Sequence, residues 1–447
     1  MPRPVKILRV GTLAAIPMWL LFAGTATSQT APASSVDNTQ VQSGDIFSSG
    51  ALNVVTASDA TSVVTSSGNT LTGSVDNGGN LALHSSQTTN GAGDPNTTPP
   101  HPNQVDAVST MSVAAGASVG GITSTTAATG NSLDSGITQG ATLSATVTQA
   151  ASGAPVHAES NIDGSSDGVA TNVSQATQAI TNSAGFGATD STISATVTQT
   201  SSATARSDAE TDYTYVGNNG DANTSSVAAL SSAAVGNNVT SVGVGNSAQT
   251  LNVNQSQTDG TVQGTQFAYM GSSQESSVSA TATANNFNAT NEQGAFNVTT
   301  AQTNDAYVHA QSVESSYEFG GASVSAYGVG NSTYAGNSGA GITLDNTQVN
   351  GTGGVQSEAS FTGVSGYDAA VASTAMGNAA TGFSCASCGG GMTIRNSQTN
   401  LGDISSTAST TINSDPANGV SGIGRSVSAI STAVGNNATF YVTQPNH

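Results

Sequence analysis

Residues 231–255 read SSAAVGNNVTSVGVGNSAQTLNVNQ. Small residues run into a Gly-Asn step, a short alternating segment follows, and the stretch ends on Gln. The same order returns as VSAYGVGNSTYAG (324–336), ASTAMGNAATG (372–382) and STAVGNNATFYVTQ (431–444). Working outward, two landmarks recur along the chain. One is Asn, usually after Gly: Asn69, Asn131, Asn182, Asn237, Asn286, Asn331, Asn378 and Asn436. The other is Gln at the end of a strand-like run: Gln40, Gln87, Gln149, Gln199, Gln257, Gln302, Gln348, Gln398 and Gln444. Successive Gln landmarks lie roughly 46–62 residues apart, and the first seven Asn landmarks precede the next Gln by 16 to 20 residues. Low-complexity sequence without a fold has no reason to hold that phase.

The segments around the landmarks alternate with the period of a β-strand. SVSATATA (277–284), ISATVTQ (193–199), LSATVTQ (143–149) and SVSAISTAV (426–434) place Val, Ile and Ala on one face and mainly Ser and Thr on the other. Gly and Asn at the junctions tolerate the positive φ of turns. One such unit cannot bury its small-residue face alone, but stacked units can. The sequence therefore predicts an all-β fold, a β-solenoid over residues 29–447. Asn69, Asn131, Asn237, Asn331, Asn378 and Asn436, with Gln87, Gln149, Gln199, Gln257, Gln302, Gln348, Gln398 and Gln444, are expected to form amide ladders from coil to coil. Two coils per repeat would give about 16 coils and a rod on the order of 75 Å. Residues 84–106, rich in Pro and Gly, are expected to project as a loop.

Residues 1–28 have the layout of a secretory signal peptide. Arg3, Lys6 and Arg9 precede an apolar run that is short for a membrane span, and small residues follow. Beyond them only Arg206, Arg395 and Arg425 stand against 26 carboxylates. No basic groove is left to neutralise phosphates, so nucleic acid is excluded as a partner. Aromatics at 4% are too sparse for the girdles of a transmembrane barrel.

No catalytic, cofactor-binding or metal constellation stands out, and the chain reads as a non-enzyme. Three Arg and no Lys after the leader suit a polysaccharide lyase poorly. Cys385 and Cys388, in FSCASCGGGM, suit a local disulfide in an exported chain; the alternatives are a redox motif or half of a metal site, though two thiols cannot complete a tetrahedral zinc shell. Asp163 and Asp167, in NIDGSSDGVATN, offer too few oxygens for a calcium loop and read as a turn. Tyr213, Tyr215, Tyr269, Tyr307, Tyr317, Tyr327, Tyr334 and Tyr367 fit either sugar stacking on an exposed face or capping of a narrow core.

The repeated SSQTTNGAGD, TAQTNDAYVHAQS, DNTQVNGTGGVQSEAS and NSQTNLGDISSTAS, with the AVGNN steps, resemble the holdfast attachment protein HfaD family of stalked alphaproteobacteria. The Gln and Asn strand ends are also similar to those of curli subunits, whose repeats are about half as long. The resemblance implies an exported outer-surface anchor. It would work with a curli-like subunit and an outer-membrane export lipoprotein to fix an adhesive exopolysaccharide, the holdfast, to the cell pole or stalk tip. Self-association through an open end coil is a further expectation. The competing readings are a generic extracellular or amyloid-like fibre, a polysaccharide-active β-helix enzyme and an ice-binding solenoid.

Overall fold

A computed structural model describes residues 34–91, 104–216, 227–385, 390–413 and 426–443. Its twenty strands, β1 to β20, pair in parallel. Eight short strands form the first wall in the order β1 (Ser34–Gln42), β4 (Asn80–Asn90), β7 (Thr142–Ser152), β9 (Thr192–Ser201), β12 (Ala248–Gln257), β14 (Phe296–Asn304), β16 (Ile342–Asn350) and β18 (Met392–Asn400). The second wall begins with β2 (Ile46–Val54) and β5 (Val105–Val113) and ends with β19 (Ile404–Ile412). The third begins with β3 (Ala57–Val75) and β6 (Ser118–Thr138) and ends with β20 (Ser426–Thr443). Between those ends, β8 (Val156–Thr189), β13 (Thr261–Asn291), β15 (Tyr307–Asn337) and β17 (Val355–Cys385) each bend through both walls. In the fourth coil β10 (Ala205–Val216) and β11 (Val227–Val244) divide the same path.

Each repeat is thus one turn of a three-walled solenoid, not two. Ser325 lies beside Ser279 and Ala372, one repeat away on either side, with no coil between. The first wall holds eight strands, so seven steps of about 4.8 Å make a stack about 34 Å tall, half the expected rod. The physical reason lies inside: an Asn at one wall and a Gln at another share one level and bond to each other's walls, which a two-coil repeat would separate.

Alternation does the packing. In β16 the burial pattern is strictly every other residue, with Ile342, Leu344, Asn346, Gln348 and Asn350 inward. One apolar cluster packs the first wall against the stretch after each corner Asn, joining Leu143, Ile193, Phe287 and Leu344. Separate clusters fill the space between the second and third walls, around Ile162 with Leu230 and around Val308 with Phe361. Burying a ring such as Phe361 stabilises by about 1.5–3 kcal/mol.

The corner glycines have a steric cause. A Cβ on Gly330 would lie 2.6 Å from the Gly377 carbonyl oxygen of the next coil, and one on Gly377 would lie 2.6 Å from that of Gly435. Thr181 and Ala284 take the same place in two coils, so Gly is favoured there without being universal.

Both ends of the loop expected over 84–106 are strand. His84 to Asn90 complete β4, and Val105 and Asp106 open β5. The alternation of HSSQTTN is itself a strand signal, and Gln87 points inward. Residues 92–103 lie outside the described residues, as do the leader, Arg425, Cys388 and Gln444.

Candidate functional site

The inward amides form two continuous ladders. Asn69, Asn131, Asn182, Asn237, Asn285, Asn331 and Asn378 each donate from Nδ2 to Oδ1 of the Asn in the following coil, the last to Asn436, at 2.7–2.8 Å. Gln87, Gln149, Gln199, Gln255, Gln302, Gln348 and Gln398 donate the other way, from Nε2 to Oε1 of the Gln in the preceding coil, ending on Gln40, at 2.7–2.9 Å. The two rows of dipoles run opposite and offset each other.

Each amide also crosses the interior. Asn331 donates to the carbonyl of Val349, the residue after Gln348, at 2.8 Å. Gln348 donates to the carbonyl of Ala379, the residue after Asn378, at 2.9 Å. The rule repeats in the other coils, as with Asn131 to Ala150 and Gln149 to Ser183. Every interior level is thereby zipped wall to wall as well as coil to coil. Asn331, Gln348 and Asn378 are fully buried, so these bonds also satisfy groups that would otherwise be costly to bury.

The structure shifts one landmark, Asn286, and one expected ladder member, Gln257. Asn285, not Asn286, pairs with Asn237 and Asn331. Asn286 points outward and donates to Asn238 Oδ1 at 2.8 Å. Gln255, not Gln257, faces Gln199 and Gln302; Gln257 sits one inward position further on and closes the turn through the Ala203 and Asp259 carbonyls. In the later coils the same further position carries Asn304, Asn350 and Asn400, a short third ladder at 2.9 and 2.7 Å. Sequence reasoning passed over it, although the recurring Gln-Thr-Asn and Gln-Val-Asn endings carry the signal.

A charge cluster lies on the outer surface of the second wall. The two ring nitrogens of His157 lie 3.1 Å from carboxylate oxygens of Asp106 and Asp208, and Arg206 Nε lies 2.5 Å from Asp208. Burial opposes the charged ring, but the hydrogen bonds and charges of the two carboxylates prevail and raise its pKa to about 9. His157 is therefore a cation at neutral pH. It borders a cleft of about 310 Å³ lined also by Glu159, Glu210 and Phe267. The ring of Phe267 is parallel within 4° to that of exposed Tyr269, their centroids 6.4 Å apart. Asp106, His157 and Asp208 are spaced by 51 and 51 residues, one repeat each, which is the signal that could have found them.

The tyrosines divide between the two readings. Tyr213 is buried, and its hydroxyl is pushed up to about 12 by that burial. Tyr269, Tyr307, Tyr317, Tyr327 and Tyr367 are exposed. Cys385 is disulfide-bonded, and Cys388 lies outside the described residues. Asp163 accepts from the Ser165 amide and hydroxyl, an Asx turn. Among the described residues, no group of three or more His, Cys, Asp and Glu is placed to hold a metal ion.

The family model described as holdfast attachment protein D matches residues 102–354, more than half of the chain. The chain belongs to the holdfast attachment protein D family. The span matched to that family runs from β5 to the end of β16, taking in Asn131 to Asn331 of one ladder, Gln149 to Gln348 of the other, and the His157 cleft. No curated protein matches the chain, and no solved structure does.

Proposed function

We propose that this holdfast attachment protein D family member is an exported, non-enzymatic surface anchor that holds an adhesive exopolysaccharide to the outer membrane at the cell pole or stalk tip. The observation that carries the reading is the family match over the laddered solenoid. A stack tied at every level is a rigid element, suited to bearing load between a membrane and an adhesive. Its acidic exterior favours solubility and disfavours nucleic acid and anionic lipid. The cleft beside His157 combines an aromatic wall with charges of both signs, chemistry that takes a saccharide ring by stacking and by charge-assisted hydrogen bonds. A curli-like anchor subunit and an outer-membrane export lipoprotein complete the proposed assembly.

The test is a strain lacking this chain. The anchor reading expects adhesive polysaccharide to be made and then shed into the medium, with retention restored by the intact chain. Polysaccharide retained on the deleted strain at normal levels contradicts it.

A further inference from the structure

Among the described residues, both ladders reach the ends of the stack unclosed. At the C-terminal end, Asn436 accepts from Asn378, while its own Nδ2 has no acceptor among the described residues; Gln398 donates twice, and its Oε1 accepts nothing there. At the N-terminal end, Asn69 donates twice and its Oδ1 accepts nothing among the described residues; Gln40 gives one hydrogen to the Thr70 carbonyl, and its second has no acceptor there. Each open donor at one end therefore has an open acceptor as its counterpart at the other. The direction is not free to reverse. An amide turned over would set its oxygen against a carbonyl oxygen of the opposite wall.

The end strands also match in length. β1 and β18 have nine residues each, β2 and β19 nine each, β3 nineteen and β20 eighteen. No described side chain of β1, β18, β19 or β20 is buried. Placing Gln398 beside Gln40 and Asn436 beside Asn69, as the internal pairings place their equivalents, sets the rest of the register. Ile394 then meets Val36, Ile404 meets Ile46, and exposed Ile430 meets exposed Val63. Arg395 meets Asp37. Both are exposed and outward-facing, and Arg395 is one of only two Lys or Arg residues among those described.

We propose that the C-terminal coil of one molecule docks on the N-terminal coil of a second copy of this chain, head to tail, continuing both ladders and all three walls. Head-to-head contact would oppose like ladder atoms and reverse the strand direction. Arg395 then sits between Asp345 of its own chain and Asp37 of the next, and the Asp37 charge is compensated across the joint. The proposal does not depend on the anchor reading: it concerns the purified chain alone, and its failure leaves polysaccharide retention untouched.

Exported chains carrying Asp37→Cys and chains carrying Arg395→Cys are purified separately, mixed and oxidised. Neighbouring strands about 4.8 Å apart bring Cα atoms within disulfide range. The joint predicts a 37–395 linkage in the mixture and little linkage in either chain alone. Linkage mainly within each separate pool, or none in the mixture, overturns it. Sedimentation of the unaltered chain gives a second reading. Mass should grow with concentration, weaken about tenfold in Arg395→Asp, and recover in Asp37→Arg/Arg395→Asp. An unaltered chain that stays monomeric at every concentration also overturns the joint.

Discussion

Asn331 and Gln348 donate in opposite directions along one stack. Asn331 gives a hydrogen to Asn378 in the following coil, and Gln348 gives one back to Gln302 in the preceding coil, both at 2.8 Å. Each also fastens the opposite wall, at Val349 and Ala379. A single side chain therefore resists separation of coils and spreading of walls.

Asn331→Asp should be strongly destabilising. It removes two donated bonds and points a carboxylate at the Val349 carbonyl and Asn378 Oδ1. A loss of about 3 kcal/mol or more is expected for such a buried defect. Asn286→Asp, on the outer face, should cost under about 1 kcal/mol. Denaturant unfolding of the two variants measures both; equal losses would contradict the assignment of the ladder.

Glu314 gives the stack a pH dependence. Burial pushes its carboxyl from the usual 4.5 up to about 7, partly countered by the Ser276 hydroxyl, which donates to Oε1 at 2.5 Å. The unfolded chain releases this proton near 4.5, and the folded chain holds it until about 7. Stability contributed by this site thus falls as pH rises between those values and stays low above them. Glu314→Gln should flatten that slope and raise the melting temperature at alkaline pH, with little change below about pH 4.5.

His157 has the opposite charge logic and acts over a higher range. Its folded pKa of about 9 lies above the ordinary 6.5, so its stabilising contribution is complete below about 6.5 and is lost as pH rises through about 9. The ring should titrate by NMR with a midpoint near 9, and Asp106→Asn should lower that midpoint. A midpoint near 6.5 would show that the two carboxylates do not hold the proton.

If the cleft beside His157 takes a saccharide as proposed, Phe267→Ala with Tyr269→Ala should weaken binding of the adhesive polysaccharide about tenfold, the scale of a stacked ring or two, without altering the unfolding transition greatly. Binding of the purified saccharide to the exported chain checks it.

Much of this architecture is legible in the sequence because the ladders impose a spacing. Gly330-Asn331 and Gln348 announce themselves by phase. Which amide of a close pair faces inward is a different matter. In ANNFN the corner falls before Asn285, and in NQSQ the ladder level falls at Gln255, because bends elsewhere in the coil fix those levels. The number of coils per repeat is hidden for a similar reason: strict alternation looks the same in one wide turn as in two narrow ones. The His157 cluster is assembled by stacking alone, from residues that have no local motif.

One repeat forms one turn of the solenoid. Spin labels on Thr39→Cys and Ser397→Cys, equivalent outward positions on β1 and β18, test this directly, with labelled chains diluted in unlabelled ones to remove contacts between molecules. Seven coil steps predict a separation of about 34 Å, whereas two turns per repeat would place the labels about 70 Å apart and contradict the laddered solenoid described above.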